Sequence, residues 1–179
     1  AAKRLPLPPN RQPNKELARY RDFLKLEKHR LKIMHRNGAG GGEVCRAQAA
    51  VFDVLLRYLL DAVKSQVPPP AKGPPPALAL VAIGGYGRGE LNPHSDIDIL
   101  FLHAGDLVVN GKPKAYLSAL VDGLLYTLWD IGLKVGHSVR SVEDCVRIAN
   151  SDMQSKTALL EARWVAGERA LFEEMMPAL

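Results

Sequence analysis

The sequence predicts an α/β fold of the α+β kind: a small mixed sheet flanked by helices, with a helical hairpin at the N-terminal end. Three observations carry this. The first 67 residues hold two long stretches with helical spacing of apolar residues. A short apolar run, Ala77 to Ile83, ends on two glycines, as a buried strand would. Beyond it, strand-like and helix-like segments alternate, the pattern of a layered α/β domain.

Taken in order, residues 1–13 are Pro-rich and expected to be irregular. Asn14 is placed to cap a helix to about Asn37, with Leu17, Tyr20, Leu24, Leu31 and Met34 on one face. The run Gly38 to Gly42 breaks it. Because that run follows no strand and lacks a Gly-Lys-Ser/Thr ending, it reads as a linker and not a phosphate loop. Glu43 opens a second helix through Val44, Ala47, Val51, Leu55 and Leu59, antiparallel to the first. The expected organisation is a helical segment over 1–67, a Pro-rich connector over 68–76, and a core with C-terminal helices over 77–179. The connector is either a domain boundary or a long surface loop.

Within the core, Ile97 to His103 reads as a second strand and Leu133 to Val139 as a third. Pro113 can start a helix through Leu117, Leu124 and Leu128. Ser141-Val142-Glu143-Asp144 and Ser151-Asp152-Met153-Gln154 look like helix starts. Residues from Leu159 to Leu171 are expected to continue helically.

Composition bounds the function. The chain has 179 residues, 47% hydrophobic and 24% charged, enough for one ordinary domain and an added helical element. Its net charge of +5 suits anionic partners. No dense basic tract occurs and aromatics are sparse, so nucleic acid is not expected as a partner. No apolar run reaches membrane length and the N-terminus does not resemble a signal peptide, so a cytoplasmic protein without membrane association is expected. Cys45 and Cys145 fall in helical segments without metal spacing and read as free thiols. The chain begins Ala1-Ala2-Lys3, and a fragment of something longer is expected.

The chemistry concentrates between Gly84 and Asp98. Asp96 and Asp98 stand two apart at the mouth of the strand Ile97 to Leu102, so they project to the same side with Cα atoms roughly 6.5 Å apart. Two converging carboxylates repel and raise each other's pKa, a cost that a divalent cation reverses. Mg²⁺ suits one or two carboxylates plus substrate phosphates. Gly84 and Gly85, ending the preceding strand, let the backbone approach a bulky anion with its N–H groups. Arg88 can add a bidentate phosphate contact, and Ser95, just before Asp96, is a further candidate nucleotide contact. The glycines match neither a Walker loop nor a dinucleotide fingerprint, and no strand–helix junction is expected after them. The set is the apparatus of phosphoryl or nucleotidyl transfer.

Ile83-Gly84-Gly85, a ten-residue loop and Asp96-Ile97-Asp98-Ile99 resemble the signature of the DNA polymerase β-like nucleotidyltransferases. The block Gly84 to Leu91, with Pro93 to Asp98, Val135 to Ser141 and Thr157 to Arg163, is similar to the N-terminal domain of the PII uridylyltransferase/uridylyl-removing enzymes. That resemblance covers about residues 78 to 173. It implies transfer of UMP from UTP to a tyrosine of a PII nitrogen-sensor protein, with Asp96 and Asp98 on Mg²⁺ and Gly84 and Gly85 on the triphosphate. The superfamily commonly adds a third carboxylate, for which Asp130, Asp152 and Glu161 are candidates; the third strand has no acid. His94 is expected to shape the loop or meet phosphate, His137 to be structural, and Tyr86 to pack or line the rim. The hydrolase and sensor domains of that family are not seen, and no His-Asp doublet occurs, so no uridylyl-removing site is assigned. Two alternatives stay open: transfer of another nucleotide such as AMP, or a non-catalytic nucleotide-binding module. The second would be expected to have lost an aspartate or a glycine, and all four are present.

Overall fold

A computed structural model describes Leu5 and residues 15–70, 75–109 and 112–179. The expected cap at Asn14 and parts of both Pro-rich segments lie outside the described residues. Two long helices open the fold, α1 (Leu17–Arg36) and α2 (Gly41–Lys64). Glu43 does not begin α2, as expected, but sits inside its first turn. Its carboxylate accepts from the Gly40 backbone N–H at 2.9 Å, which lets the helix start two residues earlier.

The core follows as β1 (Leu78–Ala82), a single helical turn α3 (Gly84–Gly87), β2 (Ile97–His103), a 3₁₀ turn (Gly105–Leu107), a short hairpin β3 (Val108–Val109) and β4 (Lys112–Pro113), then α4 (Ala115–Asp130), β5 (Val135–Ser141), α5 (Val142–Ser151), α6 (Met153–Leu160), β6 (Arg163–Gly167) and α7 (Arg169–Ala178). The main sheet runs β5-β2-β1-β6; β2 and β5 are parallel and the other neighbours antiparallel. Mixed pairing of this kind fits a polymerase β-like nucleotidyltransferase domain.

Two expectations are corrected. A strand–helix junction does follow β1, because α3 forms directly on the glycines. The stretch Leu159 to Leu171 is not one helix: α6 stops at Leu160, and Arg163–Gly167 leaves it to pair with β1. Trp164 and Val165 favour a pleated, buried setting, and that tertiary gain overrides the helical spacing of the leucines around them. Two smaller boundaries shift as well. Pro113 belongs to β4, so α4 begins at Ala115, and the third strand runs two residues further than expected, to Ser141. Ser141 does cap α5, its hydroxyl accepting from Asp144 N–H at 3.1 Å.

The sheet is covered on both faces. Leu78, Leu80 and Ala82 of β1, with Ile97, Ile99 and Phe101 of β2, pack against α1, α2 and α4. Ala79, Val81, Leu100 and Leu102 face Cys145 and Ala149 of α5, Leu159 of α6, and Leu171 and Met175 of α7. Burial on both sides explains why β1 reads as an unbroken apolar run. Cys45 and Cys145 are both free, and burial pushes the Cys145 thiol up to about 11. No helix among the described residues is long and apolar enough to cross a membrane.

Candidate active site

The site forms where β1 and β2 open. Ile83 N–H donates to the Asp98 carbonyl at 3.1 Å, closing the β1–β2 ladder one step before the glycine turn. Asp98 shares its face of β2 with Leu100 and Leu102, so its carboxylate emerges at the end of an otherwise apolar surface. One carboxylate oxygen, Oδ2, would lie 3.6 Å from a Cβ at Gly84, which itself stands at φ +60°. That contact would be an ordinary one; it is the positive φ that favours glycine here. The other oxygen, Oδ1, occupies the space that a Cβ on Gly136 would need. Gly136 is the register partner of Asp98 on β5. Asp98 is therefore held between two glycines, one from each neighbouring strand end.

Asp96 is exposed and Asp98 half-buried. Burial, and secondarily the negative charge of Asp96, raise the Asp98 pKa above the ordinary carboxylate value. The donor set is two hard oxygen ligands beside a glycine turn, which fits a divalent ion that completes its shell with phosphate and water.

The loop between the glycines and the aspartates is pinned. Leu91 is buried, Gln48 Nε2 donates to the Asn92 carbonyl at 2.9 Å, and Cys45 Sγ donates to Asn92 Oδ1 at 3.2 Å. Ser95 and His94 are exposed, and Ser95 N–H donates back to Asn92 O at 3.1 Å. Arg88 leaves the glycine turn and reaches Glu161 at the end of α6, Nη1 to Oε2 at 2.5 Å, with Glu90 at 3.7 Å. Its Nη2 would lie 3.7 Å from a Cβ at Gly85, so the guanidinium stands over that glycine.

The turn itself is braced from behind through Tyr86, expected to pack or line the rim, by Asp53 and Arg163, which the sequence reading did not single out. Tyr86 hydroxyl donates to Asp53 Oδ1 of α2 at 2.7 Å. Arg163 of β6 donates to both Asp53 oxygens, at 2.7 and 3.0 Å, and to the carbonyls of Tyr86 and Gly87 at 3.2 and 3.3 Å. Its guanidinium lies 5.3 Å from the Tyr86 ring centre. Burial, with Asp53 beside it, pushes the Tyr86 phenol well above its usual range, so it stays a neutral donor. Asp53 is the sole acid between Gln48 and Leu60, a signal that was available in the sequence.

Of the third-carboxylate candidates, Asp152 and Glu161 have their carboxylates engaged elsewhere. Asp152 caps α6, accepting from Ser155 N–H at 2.9 Å; hydrogen bonds from Ser155 hold its pKa below the ordinary value. Asp130 ends α4, where its carbonyl accepts from Arg21. Glu161 is paired with Arg88. Among the described residues no group of three or more His, Cys, Asp or Glu side chains is placed to hold a metal. His137 alternates to the opposite face of β5 from Gly136 and stacks edge-on against Trp129, with ring centres 6.0 Å apart.

Fold and site together define a nucleotidyltransferase domain of the polymerase β-like type. The family model described as glutamate-ammonia ligase adenylyltransferase matches residues 10–120, more than half of the chain, and the chain belongs to that nucleotidyltransferase family. Its relatives include proteins named bifunctional uridylyltransferase/uridylyl-removing enzyme. The one from Novosphingobium aromaticivorans is 43% identical over 136 residues, 75% of this chain and 14% of the relative. The one from Azospirillum brasilense is 44% identical over 140 residues, 76% of this chain and 14% of the relative. The one from Phenylobacterium zucineum is 37% identical over 171 residues, 90% of this chain and 17% of the relative. The chain thus spans about one seventh of the length of these curated relatives. The likeness to the uridylyltransferase domain expected from three sequence blocks is borne out.

Proposed function

We propose that this chain is a Mg²⁺-dependent nucleotidyltransferase that moves UMP from UTP to a tyrosine hydroxyl of a PII-type signalling protein. The observation that supports it most directly is the carboxylate of Asp98, seated between Gly84 and Gly136 with Asp96 beside it, at the end of a glycine turn. In this reading Gly84 and Gly85 receive the triphosphate on backbone N–H groups and Arg88 contacts it from above. Ser95 adds a hydroxyl from the loop. Asp96 and Asp98 hold the Mg²⁺, which when bound neutralises phosphate charge and orients the α-phosphate. The acceptor phenol oxygen forms its bond to the α-phosphorus as the bond to the bridging oxygen of the β-phosphate breaks. Pyrophosphate leaves and the phenolic proton passes to solvent. Positioning and charge neutralisation supply most of the rate in such transfers.

A second reading, transfer of AMP from ATP, is favoured by the description of the family model, which names an adenylyltransferase. Titration of the purified protein with UTP, ATP, GTP and CTP, each with and without Mg²⁺, separates the two. Metal-dependent binding led by UTP is expected; binding led by ATP would favour AMP transfer, and no binding of any nucleotide would defeat both.

A further inference from the structure

The solvent side of α1 carries a row of basic side chains. Lys25, Lys28, His29 and Lys32 recur at spacings of three and four, and all are exposed. None of the three lysines has an ion-pair partner among the described residues. An open groove of about 540 Å³ runs along this row, with Asp22 as the acid in its lining. Lys28 and Lys32 also line a second pocket of about 250 Å³ between α1, α2 and the active-site loop. The floor of that pocket is apolar, made by Leu31, Val44 and Pro93. His35 and His94 stand in its lining, and no carboxylate does among the described residues.

The two cavities therefore form one surface. It starts on α1 and ends at Pro93 and His94, three and two residues before Asp96. At about 3.5 Å per residue, Pro93 is within ~10 Å of Asp96 along the chain. That is well inside the footprint of one partner in an ordinary protein interface, about 800 Å².

We propose that this surface docks the protein acceptor. An acidic face of the acceptor lies along the lysine row, and one aliphatic side chain enters the pocket as an anchor, which delivers the accepting hydroxyl to the aspartate pair. The inference rests on the transferase reading above and adds the recognition surface to it. A free anion would have no use for the apolar floor. A nucleic acid would find no Phe, Tyr or Trp among the described residues of either lining, only the smaller rings of His29, His35 and His94, on which to stack a base. Charge along the row with an apolar anchor at its end is the arrangement that gives a protein partner both steering and a fixed register.

The test compares the wild type with Lys28→Glu/Lys32→Glu and with Lys28→Arg/Lys32→Arg. Initial rates of UMP transfer to a PII-type protein are measured over acceptor and UTP concentration and over ionic strength. The double Glu variant is expected to raise the acceptor KM at least tenfold and to flatten its salt dependence. The KM for UTP and kcat at saturating acceptor stay within about twofold, and the Arg pair restores wild-type behaviour. Intact transfer with an unchanged acceptor KM would overturn the docking surface and leave the transferase reading standing. A parallel rise in the UTP KM would assign the lysines to the nucleotide and overturn it too. Competitive inhibition of the wild type by a single-stranded oligonucleotide, absent in the Glu variant, would make the row a nucleic-acid surface. Absence of transfer by the wild type would remove the acceptor reading, and this inference with it.

Discussion

Asp98 is where stability and chemistry pull in opposite directions. Its pKa is raised by burial first and by Asp96 second, so the folded protein binds that proton more tightly than the unfolded chain. The ionised carboxylate therefore destabilises the ligand-free fold at neutral pH, and this penalty fades as pH falls through the raised value. Asp98→Asn is expected to raise the thermal midpoint of the ligand-free protein at pH 7–8. That advantage should vanish on acidification toward pH 4, while transfer falls at least about 100-fold through loss of the proposed metal ligand. Melting curves at two pH values beside a single-turnover assay check both halves; a variant that loses stability at pH 7 would mean the carboxylate is structural. Glu161 gives a second residue-level expectation. It holds Arg88 at 2.5 Å, with both side chains at least one third exposed, so the pair contributes at most about 1 kcal/mol. If Arg88 serves the triphosphate, Glu161 competes with it, and Glu161→Gln should tighten UTP binding by up to roughly fivefold. Weaker binding in a calorimetric titration would count against that role for Arg88. The aspartates and the glycines before them were legible because their spacing alone puts them at strand mouths. Gly136 was not, since its need to lack a Cβ arises only when the β2–β5 register sets it opposite Asp98.

Between elements, the decisive joint is Asp53 of α2 with Tyr86 of α3 and Arg163 of β6. Three hydrogen bonds converge on one largely buried carboxylate, and Arg163 continues to two carbonyls of the glycine turn. Burial opposes the charge on Arg163, but bonding to Asp53 outweighs it and raises its pKa. Asp53→Ala would leave the Tyr86 hydroxyl without its acceptor and the guanidinium with only the Tyr86 and Gly87 carbonyls. A loss of roughly 2–4 kcal/mol in unfolding stability is expected, with Asp53→Asn milder because it keeps an acceptor oxygen. Because the same network backs the glycine turn proposed to receive the triphosphate, UTP affinity should fall as well. Urea denaturation and nucleotide titration of both variants check this, and unchanged stability in the Ala variant would show the network to be idle. Long-range joints of this sort leave only faint marks in sequence. Asp53 shows as an isolated acid in an apolar stretch, whereas Arg163 lies in a segment whose neighbouring leucines mimic a helix although it is a strand. The capping serine at 141 was readable because its partner is three residues away.

At the scale of the molecule, the helical hairpin and the sheet share one core. Leu55, Leu56, Leu59 and Leu60 of α2 are at most 1% exposed and belong to the cluster that holds Leu78, Leu80 and Phe101 of the sheet. The sequence left its Pro-rich connector open as a domain boundary or a long surface loop, because composition changes there and carries no information on which faces meet. Fully burying a leucine contributes about 2 kcal/mol, so four of them approach the whole net stability of an ordinary domain, about 5–15 kcal/mol. Residues 75–179 expressed alone are therefore expected not to give a cooperative melt, and to regain one when co-expressed with residues 1–70. Far-UV circular dichroism with a thermal scan of each preparation decides it. A sharp transition from 75–179 alone would make the hairpin a separate domain carried beside the site. Its absence would mean that the acceptor-facing helix and the aspartate pair stand on one cooperative body, so that a partner held on α1 is held in fixed register with the chemistry.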